Sequence, residues 1–497
     1  MHHGCGYEIV IGQPKKRHNQ ENRMERIYFD KQIFSHLFKG DKPVYQKLYH
    51  DLLKNKDHFI FCYSHGHLLD LKNDNSEIKF KELEFIETIV DDNYLLYHAT
   101  DKKTSCYLAK PIEAFNDIKD DTEISFSTMF DDLDFATSEQ REQIKLAKDL
   151  FTNQKLDFGL SQIQDLPDEI KNPLKRILPV GLGPMTLLEW TENFMGMVKS
   201  MEDDKSIYKG LRNVVDRHIN NGKFTIDINE IDFNDDLKNS VLQKTFIEYV
   251  NSNLNPNCDK EITDYDFYTN AYFTLDLLGI SKEPSKKVKF SSILYDGYHS
   301  YYGAFCDYVV SDDQGFLKKT KALYKLLGIE TKVYHIDEFI PLFFLLSNSI
   351  ESSSKMLFDL LINDVKNGLV IDSYQSLKFN RNTTVIKPFH TYFGYFNQIE
   401  SIKENNQDYI LLRRKKKNYS YFSFFRQYQG IINKSYKLFG YDLDNKREFD
   451  WDKEIEEIKN GTWKGRFWDF ETFTILIEIN IGIKEICLLL TLKTTTE

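Results

Sequence analysis

From Met24 to Tyr97 the chain alternates between short apolar runs and amphipathic stretches, and this alternation constrains the fold more than any other feature. Ile27, Tyr28 and Phe29 open a strand that ends abruptly at Asp30. Strand character here rests on β-branched and aromatic residues bounded by charge. A helix follows, with Pro43 in its first turn and Val44, Leu48 and Leu52 on one face. Phe59 to Tyr63 reads as a second strand, and the next helix carries His67 and Asp70. Another helix, about Lys79 to Val90, precedes a strand at Tyr94 to Tyr97. Strands separated by helices cannot close as hairpins. They predict a parallel sheet covered on both faces, a three-layer α/β/α arrangement.

Near residue 105 the alternation stops. Residues 106–261 read as a mainly helical insertion, with helices over Glu139 to Lys148, Leu187 to Met201 and Asp236 to Val250. The α/β pattern resumes over 262–340. There Phe267 to Leu278 is helical, Asp296 opens a helix, Tyr308 to Ser311 is a strand, and Gln314 to Leu327 is a helix capped by Gly328. Thr331 to His335 supplies a last strand. One α/β domain is thus split into 24–105 and 262–340. Residues 341–497 change character again, with a helix near Ser353 to Lys366 and short strand-like runs at Tyr409 to Leu412, Tyr419 to Phe425 and Phe473 to Ile479. They form an α+β module. Residues 1–23 lack periodicity, and Met24 competes with Met1 as the start, leaving 1–23 as a leader.

Bulk numbers exclude several classes. The 497 residues are 41% hydrophobic and 28% charged, ordinary for a globular chain. The six cysteines form no CxxC pair, so neither a disulfide scaffold nor a zinc ribbon is expected, and a reducing cytoplasm is the natural setting. No apolar signal segment lies in the first forty or so residues. The apolar stretch Phe473 to Leu492 is broken by Glu478, Lys484 and Glu485, so it reads as one or two buried strands and no membrane partner is expected. With a net charge of −11, any nucleic acid must be held by local basic patches.

Four acids stand out by position. In a parallel sheet, ligands gather at the carboxyl ends of the strands. Asp30 ends the first strand, Asp70 lies on the helix after the second, Asp296 opens the helix before the fourth, and Asp313 follows it. Converging carboxylates repel unless a hard cation neutralises them, and oxygen ligands suit Mg²⁺ or Mn²⁺. Such ions activate water and clamp a phosphodiester. Each acid has a plainer reading: Asp30 as a turn residue, Asp296 as a helix cap. Singly, the plainer reading prevails; as an ordered set, the catalytic one does.

The order RIYFD, then SHGHLLD (Ser64 to Asp70), then Asp296, then YVVSDD ending in Ser311, Asp312 and Asp313, resembles the PIN domain nucleases. The following helix and the strand in TKVYHIDEF resemble them too. The resemblance covers residues 24–105 and 264–339 piecewise. It implies a PIN-like sheet and a metal-dependent endonuclease with Asp30, Asp70, Asp296 and Asp313 as metal-holding catalytic residues. The substrate it implies is RNA in preference to DNA, cleaved to a 5′-phosphate and a 3′-hydroxyl, in host defence or RNA processing. Asp70 stands where many relatives carry Glu, and the insertion is longer than a PIN core usually carries.

Around these acids, Ser64, His67, His299, Ser311 and Asp312 are candidates to orient carboxylates or meet substrate, while Asp307 reads as structural. Two basic stretches could follow a nucleic-acid backbone. One holds Lys318 and Lys319; the other is Arg413, Arg414, Lys415, Lys416 and Lys417 followed by Tyr419, Tyr421 and Phe422. Cations with stacking rings suit single strands, although a solvated basic turn beside a strand explains the second stretch as well. A non-catalytic PIN-like binding or assembly scaffold is the rival reading. A flap-type 5′-nuclease is disfavoured because no helix-hairpin-helix segment is recognisable. A homo-oligomer or a partner protein stays open.

Overall fold

The computed structural model describes residues 24–493, leaving out 41, 57, 120–152, 154, 157–167, 169–170, 172–182, 187–188, 190–195, 198, 221–232, 241, 257, 260, 282–289, 348–352, 378–379, 406, 416–417 and 481–483. The leader 1–23, the helix expected over Glu139 to Lys148 and most of the one expected over Leu187 to Met201 therefore lie outside the described residues. The chain divides into two compact units. The first comprises Glu25–Pro341 and Lys416–Arg426; the second comprises Leu342–Lys415, Gln427–Glu497 and the N-terminal residues through Met24.

The first unit is mixed α/β. Its sheet is built from β1 (Glu25–Phe29), β2 (Phe59–Ser64), β3 (Asn93–His98), β4 (Lys103–Leu108), β5 (Tyr308–Ser311) and β6 (Lys332–His335). The spatial order is β4-β3-β2-β1-β5-β6, and every neighbouring pair is parallel except β3 with β4. Register is set at the centre, where Tyr28 faces Cys62 and Phe29 faces Val310. Ile27, Tyr28 and Phe29 are fully buried, as a strand covered on both faces demands. Phe29 packs edge-on to Phe34 and Phe339 and stacks on Phe61. The strand β4 extends the sheet antiparallel where the sequence pattern stops alternating.

Helices link the strands. They are α1 (Lys31–Lys39), α2 (Pro43–Lys54), α3 (His65–Lys72) and α4 (Ile78–Val90), then α5 (Pro111–Lys119), α6 (Lys205–Asn220), α7 (Phe246–Leu254), α8 (Asp264–Leu277), α9 (Phe290–Gly303) and α10 (Gln314–Leu326). Three expectations need correction here. A helix, α1, intervenes between β1 and α2: Asp30 caps its start, Gly40 ends it with φ 55°, and Ile33, Phe34 and Leu37 supply a buried stripe. On α2 the buried stripe is Tyr45, Leu48 and Leu52, and Val44 faces solvent. Within 106–261 the described residues are mostly helical, but Asp236 to Val250 is not one helix. A short helix at Phe233–Asp236 and a 3-10 turn at Leu237–Asn239 end before Thr245 caps α7 with a capping box. Lys155–Leu156 pairs with Met185–Thr186 as a two-residue ladder.

The segment expected as a strand over Tyr419 to Phe425 is irregular and belongs to the first unit. Its aromatic alternation serves packing. Arg26, fully buried on β1, donates to the Phe305 carbonyl at 3.1 Å, the Phe422 carbonyl at 2.9 Å and the Ser420 hydroxyl. Its guanidinium lies over the Phe424 ring at 3.8 Å. Tyr421 donates to the Thr104 carbonyl at 2.8 Å.

The second unit is an antiparallel seven-stranded sheet with helices. In chain order it contains β7 (Leu369–Ser376), β8 (Arg381–Lys387), β9 (Gln398–Glu404), β10 (Gln407–Arg413), β11 (Arg466–Asp469), β12 (Phe473–Asn480) and β13 (Glu485–Leu492). The spatial order is β11-β12-β13-β10-β9-β8-β7. Phe473 to Leu492 thus forms a strand pair. Among the described residues no helix is long and apolar enough to cross a membrane.

Candidate active site at the carboxyl edge of the parallel strands

Strand order reverses at β1, which sends the chain to β2 on one side and has β5 on the other. Such a switch point leaves a crevice beyond the strand ends. A pocket of about 390 Å³ lies there, lined by Asp30, Asp70, Asp296, Asp313 and His299, with α1 supplying Lys31, Ser35, His36 and Lys39. The four acids singled out from the sequence therefore meet in one pocket.

Each acid is placed by its own local structure. Asp30 leaves β1, its amide bonded to the Val310 carbonyl at 3.0 Å, and its side chain caps α1 through the Gln32 amide. The Ser311 hydroxyl donates to its other oxygen. Burial raises the Asp30 pKa, His299 and Ser311 oppose the rise, and Asp70 adds to it. Asp313 caps α10 by accepting the Phe316 amide at 2.8 Å, and its own amide donates to Ser311 Oγ at 3.0 Å. Asp70, two turns into α3, accepts from His299 Nε2 at 2.9 Å.

Asp296 differs from the expectation. It lies midway along α9 and does not open the helix. Three residues on, His299 lies on the same helix face, so both reach the pocket. Among the described residues the Asp296 carboxyl has no hydrogen-bond or ion-pair partner. Burial pushes its pKa well above the usual carboxylate range; Lys319 opposes this, while Asp313, Asp30 and Asp70 reinforce it. Four carboxylates are thus held within electrostatic reach, and the pKa values of both Asp30 and Asp296 rise.

Among the described residues, no three His, Cys, Asp or Glu side chains stand close enough to hold a metal ion as placed. Asp30, Asp70 and Asp313 each spend an oxygen on a cap, a histidine or a serine, so shared coordination requires carboxylates to turn inward. The donor set itself fits Mg²⁺ or Mn²⁺, being all hard oxygen, and the desolvated, mutually repelled Asp296 is the group a cation would relieve most.

Comparison with known proteins assigns no family. No family model, curated protein or solved structure matches the chain.

The supporting residues divide in a way the sequence did not show. Ser64 caps α3 by accepting the Gly66 amide at 3.2 Å. His67 is fully buried: its Nδ1 accepts the Ser64 amide at 3.0 Å and its Nε2 meets the Phe29 carbonyl at 2.8 Å. Burial lowers its pKa well below the usual imidazole value, with His299 contributing. His67 links α3 to β1 and is not among the residues that line the pocket. Asp312 lies outside the pocket lining and pairs with His335 Nε2 at 2.9 Å, with His36 Nε2 3.6 Å away. Asp307 is structural as expected, exchanging bonds with the Arg26 backbone.

The basic candidates also separate. Lys318 is exposed on α10, but Lys319 is fully buried, 3.9 Å from Asp276 and over the Tyr272 ring. Asp276 also accepts from the Tyr208 hydroxyl at 2.7 Å and pairs with Arg212 at 3.3 Å. Lys319 therefore serves as an internal counter-charge, out of reach of a phosphate backbone. In the second unit, Arg413 pairs with Glu400 at 3.0 Å and Arg414 lies over the Tyr395 ring. The Lys415 amide donates to Asn397, and Lys416 and Lys417 lie outside the described residues.

Two features escaped the sequence reading. Lys31, Ser35 and Lys39 recur at i, i+4 and i+8 on α1, a spacing that puts them on one face beside the acids. Tyr28, read only as a strand residue, joins Ser64 and His299 through its hydroxyl.

Proposed function

We propose that the first unit is a PIN-type, metal-dependent endonuclease that cleaves RNA in preference to DNA. One observation carries this reading: Asp30, Asp70, Asp296 and Asp313, drawn from separate elements, line one pocket at the carboxyl edge of a parallel sheet. Asp30, Asp70, Asp296 and Asp313 would hold Mg²⁺ or Mn²⁺. The chemistry such an ion supplies when bound is activation of water and neutralisation of phosphate charge. Around it, Ser311 orients Asp30 and the Asp313 amide together. Lys39, exposed on α1, and Lys31, paired with Glu82 at 3.5 Å, place positive charge beside the acids to meet an incoming phosphate.

A second reading has its own support. Asp30, Asp70 and Asp313 each have a structural partner, and no three ligand groups among the described residues stand in coordinating range as placed. This is what a non-catalytic binding scaffold that keeps the fold would show. Incubating purified protein with RNA and DNA in Mn²⁺ or EDTA separates the two. The nuclease reading requires Mn²⁺-dependent cleavage of RNA that Asp30→Asn and Asp313→Asn abolish. Asparagine caps helices as well as aspartate does, so both variants should keep their fold. No cleavage with any metal favours the scaffold; full activity in either variant would remove that acid from the catalytic site.

A further inference from the structure

We infer that Tyr28 and His299 are positioning residues that hold the Asp70 carboxylate in one orientation through a one-way hydrogen-bond chain anchored on the first turn of α3. The inference rests on the proposed metal-site reading and adds to it how Asp70, shorter than a glutamate, is kept in place.

The direction of the chain follows from donor and acceptor rules. A carboxylate only accepts, so at the 2.9 Å contact with Asp70 Oδ2 the proton sits on His299 Nε2. The Tyr28 hydroxyl lies 2.7 Å from His299 Nδ1, the ring atom left to accept when the imidazole carries a single proton on Nε2. The Tyr28 oxygen is left to accept from the Ser64 hydroxyl at 2.6 Å, and Ser64 Oγ accepts the Gly66 amide at 3.2 Å. His67 does not compete. Its Nδ1 is engaged by the Ser64 amide at 3.0 Å, which puts its proton on Nε2, facing the Phe29 carbonyl at 2.8 Å. Ser64 Oγ and the Tyr28 hydroxyl also lie 3.3 and 3.4 Å from His67 Nδ1, contacts longer than those within the chain.

Packing prevents the chain from turning. His299 is buried and meets His67 edge-on, with ring centroids 4.5 Å apart and planes at 89°. On its other flank it abuts Gly66, where an added Cβ would lie 3.4 Å from His299 Cε1 and from Ser64 Oγ. Burial also holds the Tyr28 phenol well above its ordinary pKa, so it keeps the proton it donates. At the far end, Asp70 Oδ2 is fixed, while Oδ1 has no hydrogen-bond partner among the described residues. One oxygen is held and the other is presented to the pocket. Partners of this kind, one step behind the ligand, typically govern metal affinity or activity by about 10–100-fold.

The test uses the full chain and Mn²⁺ alone, with affinity read by EPR titration and folding checked by thermal melts in EDTA. Tyr28→Phe and His299→Leu should each weaken Mn²⁺ binding by about tenfold or more. His299→Gln, whose amide can replace the Nε2 donor, should recover part of that loss; His299→Asn should not. Wild-type binding that Asp70→Asn weakens but Tyr28→Phe and His299→Leu leave unchanged would overturn the relay and spare the metal site. Absence of Mn²⁺ binding in the wild type would instead overturn the metal-site reading. The relay itself is checked without metal by ¹⁵N NMR of histidine-labelled protein, where His299 should carry its proton on Nε2. A proton on Nδ1 would overturn the inference.

Discussion

Asp296→Asn should invert the order of stability between metal-free and metal-loaded protein. Burial, reinforced by Asp313, Asp30 and Asp70 and partly offset by Lys319, raises the pKa of the Asp296 carboxylate well above the usual range. A carboxyl whose folded pKa exceeds its unfolded value binds its proton more tightly in the native state. Its stabilising contribution is complete below the unfolded value, about 3.9 for Asp, and disappears as pH rises through the folded value. At higher pH the ionised group is a standing penalty. Asparagine keeps the shape and removes the charge. In EDTA at neutral pH the variant should therefore gain about 1–2 kcal/mol, the usual return when a functional-site compromise is relieved. At about 2–4 °C per kcal/mol for a large domain, the melting temperature rises by several degrees. With Mn²⁺ at about 100 times Kd, the wild type gains about 2.7 kcal/mol from binding to the native state alone, and the variant gains much less. Differential scanning fluorimetry in EDTA and in Mn²⁺, repeated from neutral to mildly acidic pH, reads both effects. The stability difference in EDTA should shrink as pH falls. The same rank order in both buffers, or a variant less stable than wild type in EDTA, would refute the electrostatic argument.

Four further outcomes follow. Lys319→Met should lower stability by about 3 kcal/mol or more by stripping a buried counter-charge from Asp276, while leaving the salt dependence of RNA binding unchanged; an altered slope would return Lys319 to the substrate surface. Arg26→Met should cost about 3 kcal/mol or more in a denaturant titration, because the Phe305 and Phe422 carbonyls lose a charged donor. A smaller loss would mean that the segment Tyr419–Phe424 is not anchored through it. In the second unit, Arg413→Gln should act on stability through Glu400 rather than on RNA. Replacing Lys415, Lys416 and Lys417 by Gln should flatten the log–log salt dependence of RNA binding by about 0.7 for each phosphate that is no longer neutralised. An unchanged slope would remove this stretch from the nucleic-acid surface.

Local sequence was most informative where periodicity and caps agree. The strands β1, β2, β3, β5 and β6 and the helices α3, α4, α8 and α10 fall close to where apolar alternation, turn residues and caps put them. The helix α1 was just as legible, with Asp30 before it, Gly40 after it and Ile33, Phe34 and Leu37 at helical spacing, but the strong strand ahead of it masked the signal. Tyr419 to Phe425 misled for the opposite reason. Alternating aromatics mark a strand only if a ladder partner exists, and here the segment spends its polar groups on Arg26, Thr104 and the Ala304 carbonyl.

The acids show the same division. That Asp30, Asp70 and Asp313 lie beyond strands or on the helices after them follows from the sequence, because a parallel sheet puts the carboxyl ends of its strands on one edge. Which oxygen each acid has free does not follow. It depends on Ser311 meeting Asp30 and His299 meeting Asp70 across 281 and 229 residues of chain. The same holds for burial: Lys318 and Lys319 are adjacent and chemically alike, yet one faces solvent and the other is sealed against Asp276. Periodicity is a property of neighbours a few residues apart, so the chain alone determined its strands, its helices and the edge at which its acids gather. Desolvation and hydrogen-bond partnership depend on groups hundreds of residues away. Only the tertiary structure therefore decided that Asp296 lies among three other acids with no donor from the described residues, and that Tyr28 reaches the site at all.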